Sequence, residues 1–127
     1  MHLTVERAAV SKLMKHLRKM RPFKGKSDST VRLWACEAHV FVESNGVIAG
    51  TEALVLQDGT CHVGRNMFLK LIQSFNDRPN VTLLANERTL SIENVTFTHM
   101  GYSPEAMPPS GFNAKATDDD GAQSSLI

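Results

Sequence analysis

Apolar and polar residues recur along this chain with two different periods. Over residues 6–21, ERAAVSKLMKHLRKMR, Val10, Leu13, Met14, Leu17 and Met20 take the i, i+3, i+4, i+7, i+10 spacing of one helical face. Lys12, Lys15 and Lys19 fall on the opposite face, with Arg18 at its margin. The pattern predicts an amphipathic helix that packs with one side and shows a basic side to solvent. A short strand, His2 to Val5, precedes it. A loop rich in Pro, Gly, Ser and Lys follows over 22–30.

From Thr30 the period drops to two. Val31, Leu33 and Ala35 alternate with Arg32, Trp34 and Cys36, as in a half-buried strand. His39 to Glu43, Val47 to Leu56 and Thr60 to Val63 read as further strands. Asn45-Gly46 joins the first two of these as a hairpin, because both positions tolerate positive φ. Residues 65–75, RNMFLKLIQSF, predict a second helix. Phe68, Leu71, Ile72 and Phe75 form its buried stripe, and Asn66, Lys70 and Gln73 a polar face without an acid. Val81 to Ala85, Thr89 to Ile92 and Val95 to Thr98 close the chain as a meander. Met14, Met20 and Met67, at helical spacings, are expected in the core, and Trp34 on a sheet face or in the core.

The order β-α-β-β-β-β-α-β-β-β predicts an α+β domain with two helices packed on one face of an antiparallel β-sheet. That domain is expected to span 1–102. Residues 103–127 carry three prolines, an Asp triplet and small polar residues, and are expected to form a flexible tail.

Charge sharpens this picture. Eight of the fourteen Lys and Arg residues, but one of the thirteen acids, lie in the first 26 positions. The formal charge of +1 therefore hides a basic N-terminal part and an acidic remainder. A basic helix face suits phosphates, through charge attraction and counterion release without base contacts. An isolated basic helix is more often a plain solvated surface. The Asp triplet is a candidate mimic of nucleic acid that screens the basic helices.

A chain of 127 residues with 42% hydrophobic content is large enough for one real core. No apolar run approaches the ~20 residues that cross a bilayer, and MHLTVERAAV has no signal-like apolar segment. A cytoplasmic protein without membrane association is expected. Cys36 and Cys61 are read as buried thiols.

Little in the sequence supports catalysis. Cys36-x-x-His39 and Cys61-His62 are a fragment of a zinc set, and neighbouring strand residues point to opposite faces. GVIAGTEALV lacks the Lys-Ser/Thr ending of a phosphate loop. No catalytic residue, cofactor or metal is expected.

Three stretches resemble one domain of the bacterial DNA sliding clamp, the β subunit of the replicative DNA polymerase. MHLTVERAAVSKLMKHL resembles its opening strand and helix. GTCHVGRNMFLKLIQSF resembles the short strand leading into its second helix. VTLLANERTLSIENVTFTHMGYSPEAMPP resembles its closing strands and exit. The likeness covers about residues 1–109 and lies in the order and spacing of elements more than in identities.

The resemblance implies a ring of such domains around duplex DNA, with helices lining the pore and sheets outside. Full-length clamps carry three domains per chain and pair as dimers, whereas this chain carries one, so a homo-oligomer is expected. The DNA-facing positions would be Lys12, Lys15 and Lys19 on the first helix, and Lys70 with Arg65 on the second. The final QSSLI resembles the short peptide by which polymerases and repair proteins dock on a clamp. Gln123, Leu126 and Ile127 would then bind a sliding clamp or another replication protein. The alternative is a protein-interaction or oligomerisation module that uses the clamp fold without touching DNA.

Overall fold

The structure is a computed structural model and describes residues 1–20, 30–44 and 46–112, the side chains of Lys19 and Met20 excepted. Among the described residues there are ten strands and two helices: β1 (His2–Glu6), α1 (Arg7–Met20), β2 (Thr30–Cys36), β3 (His39–Ser44), β4 (Val47–Glu52), β5 (Leu54–Gln57), β6 (Gly59–Gly64), α2 (Arg65–Ser74), β7 (Asn80–Ala85), β8 (Thr89–Ile92), β9 (Val95–Thr98) and β10 (Gly101–Ser103). They form two five-stranded sheets, ordered β5-β1-β7-β8-β9 and β10-β6-β2-β3-β4. Every pairing is antiparallel. The predicted α+β class holds, and the antiparallel strands are shared between two sheets.

Alternation along the strands builds one core between the sheets and helices. On β2, Val31, Leu33 and Ala35 face inward with Val40, Val42, Cys61 and Val63 from the neighbouring strands. Leu3 and Val5 of β1 and Val81 and Leu83 of β7 supply the other sheet's share. The helical stripes complete it: Val10, Leu13, Met14 and Leu17 of α1, and Phe68 and Ile72 of α2, are all buried. Each such side chain contributes about 1.5–3 kcal/mol by leaving water. Helix stability here comes from these faces, since neither helix carries an acid in its first turn.

The stretch expected as one strand over Val47–Leu56 is two. At Ala53 the chain leaves one sheet for the other, so β4 pairs with β3 while β5 pairs with β1. The Ala53 N–H goes to the Ala38 carbonyl at 3.0 Å instead of to a ladder. Ala38 and Glu37 both have positive φ, 58° and 53°, and make the tight turn between β2 and β3. Met67, expected in the core, is 48% exposed, because its place on α2 lies outside the Phe68–Ile72 stripe.

The boundary placed after Tyr102 falls inside β10, which pairs with β6. Beyond it, residues 104–112 lie along the outer face of the sheet containing β2 and β3. Trp34 is buried there, stacked on Phe41 at 5.5 Å between ring centroids. Phe112 meets Phe41 edge-on at 5.2 Å and His39 at 4.9 Å. The Thr60 hydroxyl donates to the Glu105 carbonyl at 2.7 Å. This strap covers a second, smaller apolar cluster of Trp34, Cys36 and Phe41.

Candidate nucleic-acid interface

Helices α1 and α2 lie against each other. The seam between them is a groove of about 490 Å³, lined on α1 by Arg7, Ser11, Lys12, Lys15 and Arg18 and on α2 by Leu69, Ile72 and Gln73. The apolar side chains form its floor, because they belong to the stripes that face the core. The polar rim carries four cations, Arg7, Lys12, Lys15 and Arg18, beside the neutral Ser11 and Gln73, and no acid lines the groove among the described residues. Lys12, Lys15 and Arg18 are exposed. Among the described residues the ion pairs are Arg32–Glu43 and Arg78–Glu93, so these three cations have no carboxylate partner. The groove thus combines concentrated positive charge with side chains free to reach an anion.

The predicted DNA-facing residues do not all meet there. Lys12 and Lys15 line the groove. Lys19 sits in the last turn of α1, its side chain outside the described residues. Lys70 is exposed on α2 but does not line the groove. Arg65, at the start of α2, donates from Nε to Asn66 Oδ1 at 3.4 Å and is also absent from the lining. Gln123, Leu126 and Ile127 lie outside the described residues.

Arg7, Ser11, Arg18 and Gln73 line the groove but are not among the DNA-facing positions that the sequence predicts. The signal for the first three was available, since 7, 11, 15 and 18 follow the same helical spacing as the apolar stripe, rotated around the axis. Arg7 was obscured by its position as the first helical residue, where its backbone N–H donates to the Pro79 carbonyl at 3.0 Å. Its Nε is buried without a partner among the described residues. Gln73 required knowing how the helices pair.

Elsewhere the chemistry is quiet. No three His, Cys, Asp or Glu side chains converge on a common point among the described residues. Cys61 lies in the main core and Cys36 in the outer cluster, and burial pushes each thiol up to about 11. No described helix is long and apolar enough to cross a membrane.

This arrangement of elements is that of a sliding-clamp domain. The chain is similar in structure to the Helicobacter pylori beta clamp, solved in complex with carprofen (TM-score 0.66, 16% identity, 89% of this chain and 32% of that one). The same clamp, solved bound to a DNA ligase peptide, matches at a TM-score of 0.65, with 16% identity over 89% of this chain and 33% of that one. Caulobacter crescentus pol III beta matches at 0.61, with 19% identity over 87% of this chain and 34% of that one. The chain spans about a third of the length of these proteins. No family model matches the sequence. No curated protein matches it either.

Proposed function

We propose that this protein is a non-catalytic, clamp-like module that holds duplex DNA without sequence specificity, in replication or repair. One observation carries the reading: a basic groove, without a carboxylate partner among the described residues, between the two helices of a clamp-like domain. Helix α1 presents Lys12, Lys15 and Arg18 as exposed charges suited to phosphates, with no arrangement among the described residues that would read base edges. Lys70 and Arg65 on α2, with Lys19 one turn beyond Lys15 in the sequence of α1, complete the proposed contact set.

Assembly of several copies is the second part of the reading. Strands β5, β9, β10 and β4 are sheet edges. Ile48 on β4, Leu54 and Leu56 on β5 and Val95 on β9 account for half of the eight large apolar side chains exposed among the described residues. Apolar, unpaired edges favour strand pairing between copies. The C-terminal Gln123, Leu126 and Ile127 remain candidates for docking on a partner clamp, and the Helicobacter pylori clamp has been solved bound to a DNA ligase peptide.

Retention on immobilised duplex DNA, measured with light scattering on the same sample, tests both parts. The expected result is an oligomer whose retention falls steeply with salt. Salt-independent elution at low ionic strength would favour the interaction-module reading.

A further inference from the structure

The basic face of α1 is flanked on its other side by a second groove. Ala8, Ala9, Lys12, Leu13 and His16 line it from α1, and Ala49, Gly50 and Thr51 from β4. Glu6, at its α1 end, is the acid on this lining. Lys12 therefore faces both grooves. The outward face of the same β4 segment is covered by the end of the strap: Ala49 and Gly50 lie beside Gly111 and Phe112. β4 is an edge strand, so no further strand separates the two sides.

The strap is turned at this point. The Phe112 N–H donates to the Pro109 carbonyl at 3.0 Å, and Gly111 has a φ of 85°. The chain thus leaves the described fold beside the edge over which α1 packs. From Phe112 the Asp118-Asp119-Asp120 triplet begins six residues on. Six extended residues reach about 20 Å, against the ~10 Å that separates packed layers. The triplet can round β4 and arrive at α1. Residues 113–127 carry these three acids against one cation, Lys115.

We propose that the C-terminal segment docks its Asp118-Asp119-Asp120 triplet on the basic face of α1, at Lys12, Lys15 and His16, and competes there with duplex DNA. The competition rests on the proposed function, whereas the docking does not. Tethering sets a local concentration of order millimolar, so three weak charge contacts suffice to occupy the face. Duplex DNA, with more phosphates in reach, displaces the segment, and added salt weakens both.

The test uses the full chain and the charge-neutral variant Asp118→Asn/Asp119→Asn/Asp120→Asn. Lysine acetylation by a small anhydride is followed residue by residue at low and high salt. The proposal expects Lys12 and Lys15 to react several-fold more slowly in the parent than in the variant at low salt. That difference should vanish at high salt and be absent at Lys70. Equal rates in the two proteins overturn the docking, whatever DNA does. Protection that grows with protein concentration overturns it too, since the acids would come from a second copy. Duplex affinity at low salt is then compared, with the variant expected to bind on the order of fivefold more tightly. Equal, measurable affinities overturn the competition. Protection of Lys12 and Lys15 in a protein that binds no DNA supports the docking and removes the function proposed above.

Discussion

The indole Nε1–H of Trp34 donates to the backbone carbonyl of Met107 at 2.8 Å, tying the strap to the middle of a sheet. Trp34 also lies under the Arg32 guanidinium, 4.2 Å from ring centroid to Cζ, so the ring is held from two sides. Trp34→Phe keeps an aromatic ring and removes the hydrogen bond. It should cost about 1 kcal/mol and open the strap to proteolysis. Limited digestion followed by mass spectrometry would show new cleavage between 104 and 112. An unchanged digestion pattern would mean that Phe112 and the Thr60–Glu105 bond hold the strap alone.

Glu93 performs a similar task on the other sheet. Its carboxylate accepts the Thr82 N–H at 2.7 Å and an Arg78 N–H at 2.8 Å, from a backbone at a φ of 56°. Alanine at 93 keeps the cost of positive φ and removes both bonds. Glu93→Ala should lower stability by about 2 kcal/mol, and Glu93→Gln by less, because an amide oxygen still accepts. Urea unfolding of the two variants measures the difference.

Gly59 has no room for a side chain. A Cβ there would stand 2.8 Å from both the Met1 Cβ and the Met1 N, and Met1 is wholly buried. The Met1 ammonium also donates to the Ala85 carbonyl at 3.2 Å and the Tyr102 hydroxyl at 3.0 Å, so it cannot move aside freely. Gly59→Ala is expected to cost about 1–3 kcal/mol, as overpacking does. A urea midpoint equal to the parent's would show that the N-terminal residue yields.

The two thiols give a pH dependence with a definite sign. Burial raises Cys36 and Cys61 from 9.0 to about 11 in the folded chain. The unfolded chain loses these protons first, so stability is retained below pH 9 and falls as pH rises toward 11. Cys61→Ala should flatten this decline, at the cost of a small cavity. The check is the urea midpoint of parent and variant at pH 8 and pH 10.5. An identical decline in both would assign it to other groups.

The parts of the fold that were legible in the sequence are those fixed by local period. The Val10–Leu17 and Phe68–Ile72 stripes and the inward set Val31, Leu33 and Ala35 each state which side is buried, whereas Trp34 and Cys36, expected on the open side of a half-buried strand, are buried beneath the strap. The break at Ala53 was not legible, because Val47 to Leu56 reads as one strand with no turn residue pair at Ala53. Only the tertiary bond from Ala53 to Ala38 shows the chain changing sheets. The strap was hidden for a related reason. Its prolines and small residues carry no period, and it is held by Trp34, Phe41 and Thr60, all distant in sequence. Of the candidate interface, Lys12 and Lys15 followed from the helical spacing. Gln73 and the groove itself depend on how α1 meets α2.

The basic face of α1 is proposed to hold the DNA backbone. Fluorescence anisotropy of a labelled duplex, titrated at several salt concentrations, tests it most directly. Three or four neutralised phosphates predict a slope of log affinity against log salt of about −3 to −4, at roughly −0.9 per contact. Lys12→Glu/Lys15→Glu/Lys19→Glu should abolish binding with the fold intact, because Lys12 and Lys15 are exposed and support no core contact. A parent that binds no duplex at low salt, or a triple variant that binds as well as the parent, would contradict the account.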